Sequence, residues 1–299
     1  MTGDVVVDGA VDVSTVSWRD ALAGVVARLA DAGVDNAAQE ARWIVEQATG
    51  WTATELTTQL DEPAADPATA LARDMAARRA AGEPLQYVLG HWQFRRLNLS
   101  VDRRVLVPRP ETEVLAGMAL DECRRLDARV AVDLGTGSGA IGLALAVERP
   151  GLAVWATDAS ADALAVARTN AADVSDVAVR VRLLEGRWFD ALPPELAGRI
   201  DVMVSNPPYV SDAEMAELPA EVRDWEPHAA LRAGATGLED VEHIVTHAPE
   251  WLARPGALLV EIAPHQADAA RTLARHAGWP VVTVWPDLAG RDRILLLRR

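Results

Sequence analysis

A short apolar strand, a glycine-rich turn and a helix, followed by an acid at the end of the next strand, constrain this chain more than anything else in it. Arg129-Val-Ala-Val-Asp-Leu134 reads as a buried strand, Gly135-Thr-Gly-Ser-Gly139 as the turn and Ala140–Glu148 as the helix. Such a unit lets a ligand approach the backbone closely and points a helix N-terminus at it. It belongs to open α/β sheets, where ligands bind beyond the carboxyl ends of the strands. Leu152–Thr157 reads as a second strand ending at Asp158, with a helix over Ala161–Ala171 after it. Val179–Leu184, Asp201–Ser205 and Ala257–Ile262 supply three more strands, the last preceded by a helix over Val241–Leu252. Val281–Trp285 and Arg293–Leu297 predict an antiparallel pair at one side of a mostly parallel sheet.

The strand Asp201-Val-Met-Val-Ser205 runs straight into Asn206-Pro207-Pro208-Tyr209. Two prolines cannot continue a helix or a central strand, and their fixed φ stiffens the turn. The Asn206 amide oxygen and the Pro207 carbonyl provide two acceptors, and Tyr209 adds an aromatic face. Together they suit a flat, conjugated NH2 group. On these four residues alone, a plain proline turn capping a strand explains the pattern equally well.

The glycine turn does not name its ligand. Gly135, Gly137 and Ala140 satisfy a relaxed dinucleotide fingerprint, which keeps a nicotinamide dehydrogenase in play. Asp133 leans the other way: an acid just before the glycines repels a pyrophosphate but can hold an ammonium. Asp158 is placed to accept from ribose hydroxyls. S-adenosyl-L-methionine, with its ribose, ammonium and sulfonium, fits both acids better.

The first half of the chain is different. Residues 1–16 read as a flexible tail. Residues 17–84 carry a helical pattern with Ser17 and Asp35 as N-caps, Gly33, Gly50 and Gly82 as stops, and further helices around Thr54–Leu60 and Pro67–Ala81. This bundle holds no catalytic constellation and reads as a substrate-recognition module. Tyr87–Phe94 and Leu97–Val101 read as two strands, making 85–107 a β-hairpin linker to a catalytic domain over 108–299.

Composition excludes several classes. A net charge of −15 disfavours gripping nucleic acid backbones. The single Cys123 rules out an internal disulfide and a cysteine zinc cluster. The first twelve residues carry three Asp and no Arg, which is unlike a signal peptide, so the cytoplasm is expected. His243 and His247 are one helical turn apart but lack an evident third ligand, and no metal is expected. Glu111 and Glu113, behind Pro110, suit a helix start better than acid–base catalysis unless their side chains face the Asn206 turn.

Several stretches together resemble the release factor glutamine methyltransferase (HemK, or PrmC) family. They are Gly82-Glu-Pro-Leu-Gln-Tyr87, Val105-Leu-Val-Pro-Arg-Pro-Glu-Thr-Glu113, Val132-Asp-Leu-Gly-Thr-Gly-Ser-Gly139, Val204-Ser-Asn-Pro-Pro-Tyr209, Glu226-Pro227, Ala230-Leu231 and Gly237-Leu238. Asn-Pro-Pro-Tyr is shared with adenine amino-methyltransferases; the Pro-Arg-Pro-Glu-Thr-Glu stretch is more particular to this family. The resemblance implies a class I, Rossmann-like methyltransferase sheet with an α-helical N-terminal domain. It implies S-adenosyl-L-methionine as cofactor, bound by Asp133, Gly135, Thr136, Gly137, Ser138, Gly139, Asp158, Trp188 and Asn206. Asn206, Pro207, Pro208 and Tyr209 would bind the substrate, with Asn206, Pro207 and Tyr209 at the reacting amide. The implied substrate is the glutamine of the Gly-Gly-Gln loop of peptide chain release factors. A monomer without stable nucleic-acid or membrane binding is expected. Arg187 departs from the small or acidic residue usual before the aromatic. The competing readings are an adenine amino-methyltransferase on DNA or RNA, a non-catalytic adaptor and, more distantly, the dehydrogenase.

Overall fold

The structure is a computed structural model that describes residues 16–174, 177 and 179–299. The tail read over 1–16 therefore lies, apart from Val16, outside the described residues. The chain divides into two compact units, one ending at Leu89 and one beginning at Gly90.

The first unit is helical: α1 (Trp18–Asp31), α2 (Ala37–Thr49), α3 (Ala53–Thr58), α4 (Asp66–Ala80) and α5 (Leu85–Leu89). Ser17 starts α1 with a reciprocal cap, its hydroxyl accepting from the Asp20 amide while the Asp20 carboxylate accepts from the Ser17 amide. Thr52 and Glu55 repeat the device at α3. Gly50, at φ 72°, ends α2 in the left-handed conformation that glycine adopts without strain. Val25, Leu29, Ile44, Val45, Leu56 and Met75 form the core. The Arg79 guanidinium meets Glu40 at 2.6 Å, tying α4 to α2. Tyr87–Leu89, expected as strand, is helical: the Pro84 carbonyl accepts from the amides of Tyr87 and Val88. A three-residue apolar run carries no period that separates helix from strand, and its burial in this unit decides for helix.

The second unit opens with the hairpin β1 (His91–Phe94) and β2 (Leu97–Ser100). Then come α6 (Pro110–Arg125), β3 (Val130–Leu134), α7 (Ala140–Glu148), β4 (Ala153–Asp158), α8 (Ala161–Ala172), β5 (Val181–Glu185) and β6 (Ile200–Ser205). A short parallel pair, β7 (Val210–Ser211) and β8 (Arg232–Gly234), flanks α9 (Ala220–Trp225). The chain ends with α10 (Glu239–Trp251), β9 (Leu252–Glu261), α11 (Ala267–His276), β10 (Val281–Pro286) and β11 (Asp292–Arg298). The hairpin is part of this unit. Asn170 of α8 explains why: its side chain brackets Ser100 through both backbone groups and also donates to the Ser138 carbonyl at 2.8 Å. Arg95, at the hairpin turn, holds Glu148 of α7 at 2.6 Å.

Seven strands form one sheet in the order β10-β11-β9-β6-β3-β4-β5. β11 is antiparallel to both neighbours and the remaining pairs are parallel. From β3 the chain builds outward through β4 and β5, then returns to place β6 on the other side of β3. Strand order reverses there, which opens a crevice at the carboxyl ends. Val132, Leu134, Met203, Leu258 and Val260 are fully buried beneath it, as expected for a sheet covered on both faces. Among the described residues no helix is long and apolar enough to cross a membrane.

Candidate active site

At that crevice lies a cavity of about 460 Å³, within the range of small-molecule sites. Four strand ends contribute to its wall: Gly135 to Ser138 after β3, Asp158 closing β4, Trp188 after β5, and Asn206 with Pro208 after β6; Val105 to Thr112 and Pro227 to Arg232 supply further parts of it.

The glycine turn is held from below. The amides of Gly135 and Thr136 both donate to the Thr157 carbonyl at 2.9 Å. Gly135, Gly137 and Gly139 all have positive φ, and a Cβ on Gly135 would lie 3.1 Å from the Trp188 ring. Gly137 has open space where a side chain would be. Asp158 accepts from the Gly137 amide at 2.8 Å and from the Ser160 amide at 2.9 Å. Each of its oxygens keeps a second lone pair at the cavity wall. Burial raises its pKa, and the two backbone bonds oppose the rise.

Asp133 lies elsewhere than its expected role requires. It is completely buried and outside the cavity wall. Its Oδ2 accepts from the Thr136 hydroxyl at 2.6 Å and the Gly142 amide at 2.9 Å, so it braces the glycine turn against α7. Its Oδ1 has no partner among the described residues, and burial pushes its pKa up to about 6. Gly139 likewise packs behind the wall, its missing Cβ leaving room for Leu143.

Trp188 is nearly buried, at φ 48°, with its carbonyl taken by the Thr157 hydroxyl at 2.9 Å. Its indole Nε1 is buried without a partner among the described residues. Arg187 lies on the cavity rim and pairs with Asp240 of α10 at 2.9 Å. The departure at Arg187 thus has a local partner.

Around Asn206 the structure assembles groups of widely separated sequence position. The Ser205 hydroxyl donates to the Leu134 carbonyl at 2.7 Å, locking β6 to β3 just before both turns. Asn206 Nδ2 donates to the Thr112 hydroxyl at 3.1 Å. Thr112 in turn donates to Glu261 Oε2, at the end of β9, at 2.8 Å. The Tyr209 hydroxyl points the same way, reaching Glu261 Oε1 at 3.4 Å, and the Arg293 guanidinium lies 5.9 Å from the Tyr209 ring centre. Pro207 and Tyr209 are not part of the cavity wall; Pro208 is. Glu261 is 1% exposed, and burial raises its pKa to about 7 against the opposing effects of Thr112 and Arg293.

Sequence reasoning missed Thr112, Glu261 and Asn170 as site residues. Glu111 and Glu113 turn elsewhere, to Arg291 at 2.6 Å and to the Arg95 amide at 3.1 Å, and the threonine between them reaches Asn206. Arg109 and the buried Glu226 pair at 2.5 Å, joining two stretches singled out in the sequence. The signal for Glu261 was an acid closing an otherwise apolar strand. His243 and His247 instead lie tilted beside Phe189, their ring centres 6.1 and 6.4 Å from it.

Two family models match the chain: PrmC N-terminal domain over residues 20–90 and Methyltransferase small domain over residues 112–221. A protein of Cereibacter sphaeroides named release factor glutamine methyltransferase is 43% identical over 279 residues, spanning 93% of this chain and 97% of that protein. Proteins of the same name from Deinococcus radiodurans and Moorella thermoacetica are 40% and 41% identical, over 94% and 95% of this chain and 98% and 99% of theirs. Among solved structures, the human METTL16 catalytic domain in complex with an RNA hairpin superposes with a TM-score of 0.56 at 18% identity, over 78% of this chain and 80% of that one. At that identity the likeness shows the fold, a class I methyltransferase sheet. With relatives aligned almost end to end, the chain belongs to the release factor glutamine methyltransferase family.

Proposed function

We propose that this chain transfers a methyl group from S-adenosyl-L-methionine to the side-chain amide nitrogen of the glutamine in the Gly-Gly-Gln motif of peptide chain release factors. One observation carries the reading: Asn206 lines the same cavity as the glycine turn and Asp158.

The residues present suit the cofactor. Asp158 offers lone pairs for a ribose diol, Gly137 leaves the space a side chain would fill, and Trp188 adds a flat apolar wall whose buried N–H awaits a partner. Bound there, S-adenosyl-L-methionine supplies an electrophilic methyl group on a sulfonium. Thr136 and Ser138 complete the glycine turn's share of the cavity wall, while Asp133 and Gly139 support the turn from behind.

An amide nitrogen is a poor nucleophile because its lone pair is delocalised into the carbonyl. Asn206 Oδ1 and the Pro207 carbonyl take no hydrogen bond among the described residues, leaving two acceptors for the two N–H bonds of the glutamine. Holding both hydrogens fixes the nitrogen and favours pyramidalisation, so the chain's contribution is positioning and charge complementarity. Pro208 stiffens the turn, and Tyr209 buttresses it from behind with its hydroxyl turned to Glu261. Tyr209 is no base, since burial raises its pKa further. The proton becomes acidic as the new bond forms and leaves to water.

The helical unit would recognise the body of the release factor, and reaction on a translation factor would place the chain in the cytoplasm. A net charge of −15 supports a protein rather than a nucleic acid substrate. The test is peptide mass spectrometry of a release factor incubated with this protein and S-adenosyl-L-methionine. One methyl on the Gly-Gly-Gln glutamine is expected; methyl transfer to nucleic acid instead would overturn the reading in favour of an adenine amino-methyltransferase.

A further inference from the structure

An asparagine amide has two ends of nearly equal size, one an acceptor and one a donor of two hydrogens. Shape alone does not choose which end faces a ligand; hydrogen bonding does. At Asn206 the choice matters, because a substrate NH2 group needs the oxygen.

We propose that Thr112 and Glu261 are positioning residues that set the polarity of Asn206, with the Thr112 hydroxyl donating to Glu261 and thereby accepting only from Asn206 Nδ2. The proposal rests on the glutamine-methylation reading and adds what selects the acceptor end of the amide.

A threonine hydroxyl has one proton. It is 2.8 Å from Glu261 Oε2 and 3.1 Å from Asn206 Nδ2. An ionised Glu261 is acceptor-only, so it claims that proton, and Thr112 has only lone pairs left for Asn206. The NH2 end is then tied to Thr112 and Oδ1 is left for the substrate. A protonated Glu261 can itself donate to Thr112. The threonine proton is freed to bond Oδ1, the amide turns over, and its NH2 end opposes the NH2 of the substrate.

The state of Glu261 is set by four residues on three elements. Thr112 and Glu111 face it from α6, Tyr209 from the turn after β6, and Arg293 from β11. Arg293 favours the carboxylate. Glu111 disfavours it, although Glu111 is itself paired with Arg291 at 2.6 Å. Burial outweighs these and brings the pKa to about 7, so the acceptor form of Asn206 gains population as pH rises through neutrality.

The test compares Thr112→Val, Thr112→Ser and Glu261→Gln with the parent between about pH 6 and 9. Turnover at saturating substrate, cofactor Kd by calorimetry and the Asn206 side-chain 15N–H resonances are the readouts. Thr112→Val is expected to lower kcat about 10²-fold while leaving cofactor Kd unchanged, and Thr112→Ser to restore it. The parent's kcat should rise with a midpoint near 7, and Glu261→Gln should flatten that profile. The Asn206 resonances should titrate with the same midpoint in the parent and not in Thr112→Val. Parent-like turnover in Thr112→Val, or equal impairment in the serine variant, overturns the proposal. If the parent fails to methylate the glutamine at all, the functional reading falls instead. The relay is then judged by the resonances alone, and pH-invariant Asn206 signals overturn it.

Discussion

The Gly142 amide donates to Asp133 Oδ2 at 2.9 Å, and a Cβ on Gly142 would sit 3.1 Å from that same oxygen. The glycine is there to let an acid lie against the side of α7. Replacing it with alanine sets two effects against each other. Helix propensity gains about 1 kcal/mol, while overpacking a fixed core costs about 1–3 kcal/mol. Asp133 is held by Thr136 as well and has Val154 behind the new methyl, so it cannot step aside. Gly142→Ala should therefore destabilise the chain, read as a lower midpoint in urea denaturation.

Asn206→Ala should lower kcat by at least about 10²-fold, the scale of losing one preorganised polar contact to a reacting group. S-adenosyl-L-methionine affinity should change little, because the glycine turn and Asp158 are untouched. Calorimetry alongside a methyl-transfer assay separates the two. Complete loss of cofactor binding would contradict the division of labour.

Asp158→Ala should do the reverse. It removes the acceptors proposed for the ribose and frees the amides of Gly137 and Ser160. Cofactor Kd should rise by about tenfold or more, as for loss of a charge-assisted hydrogen bond of about 1.5–3 kcal/mol. Asp158→Asn, which keeps one acceptor, should fall between.

Stability should depend on pH through Glu261. Burial lifts its carboxyl from an ordinary 4.5 to about 7. Between those values the native state binds more protons than the unfolded one, so its contribution is complete below 4.5 and is lost as pH rises through about 7. Glu261→Gln should gain up to about 3 kcal/mol at about pH 8 and almost nothing at about pH 4. Asp133, raised to about 6, adds a drift of the same sign in the parent. Denaturation midpoints across pH give the curve, and a parent stability that rises through this window would contradict the assignment.

The glycine turn, Asp158 and Asn206 were legible because each follows a strand in sequence. A strand–turn spacing survives into three dimensions almost unchanged. Thr112 and Glu261 were not, because the bond joining them spans 149 residues and depends on α6 packing across the neighbouring strands β6 and β9. Asp133 shows the opposite failure: its position beside the glycines suggested a ligand contact, yet the pleat turns its side chain into the interior. Tyr87–Leu89 was misread for want of length, since three apolar residues have no period.

β3 and β6 are neighbours, with Leu134 paired to Ser205, and the next residues along are Gly135 and Asn206. Neighbouring strands run about 4.8 Å apart. The spacing between the proposed methyl-donor and methyl-acceptor subsites is therefore ruled by main-chain hydrogen bonding at the centre of the sheet. Loop substitutions can retune which release factor enters or how tightly the cofactor holds, but the gap the methyl group must cross is a dimension of the peptide backbone itself.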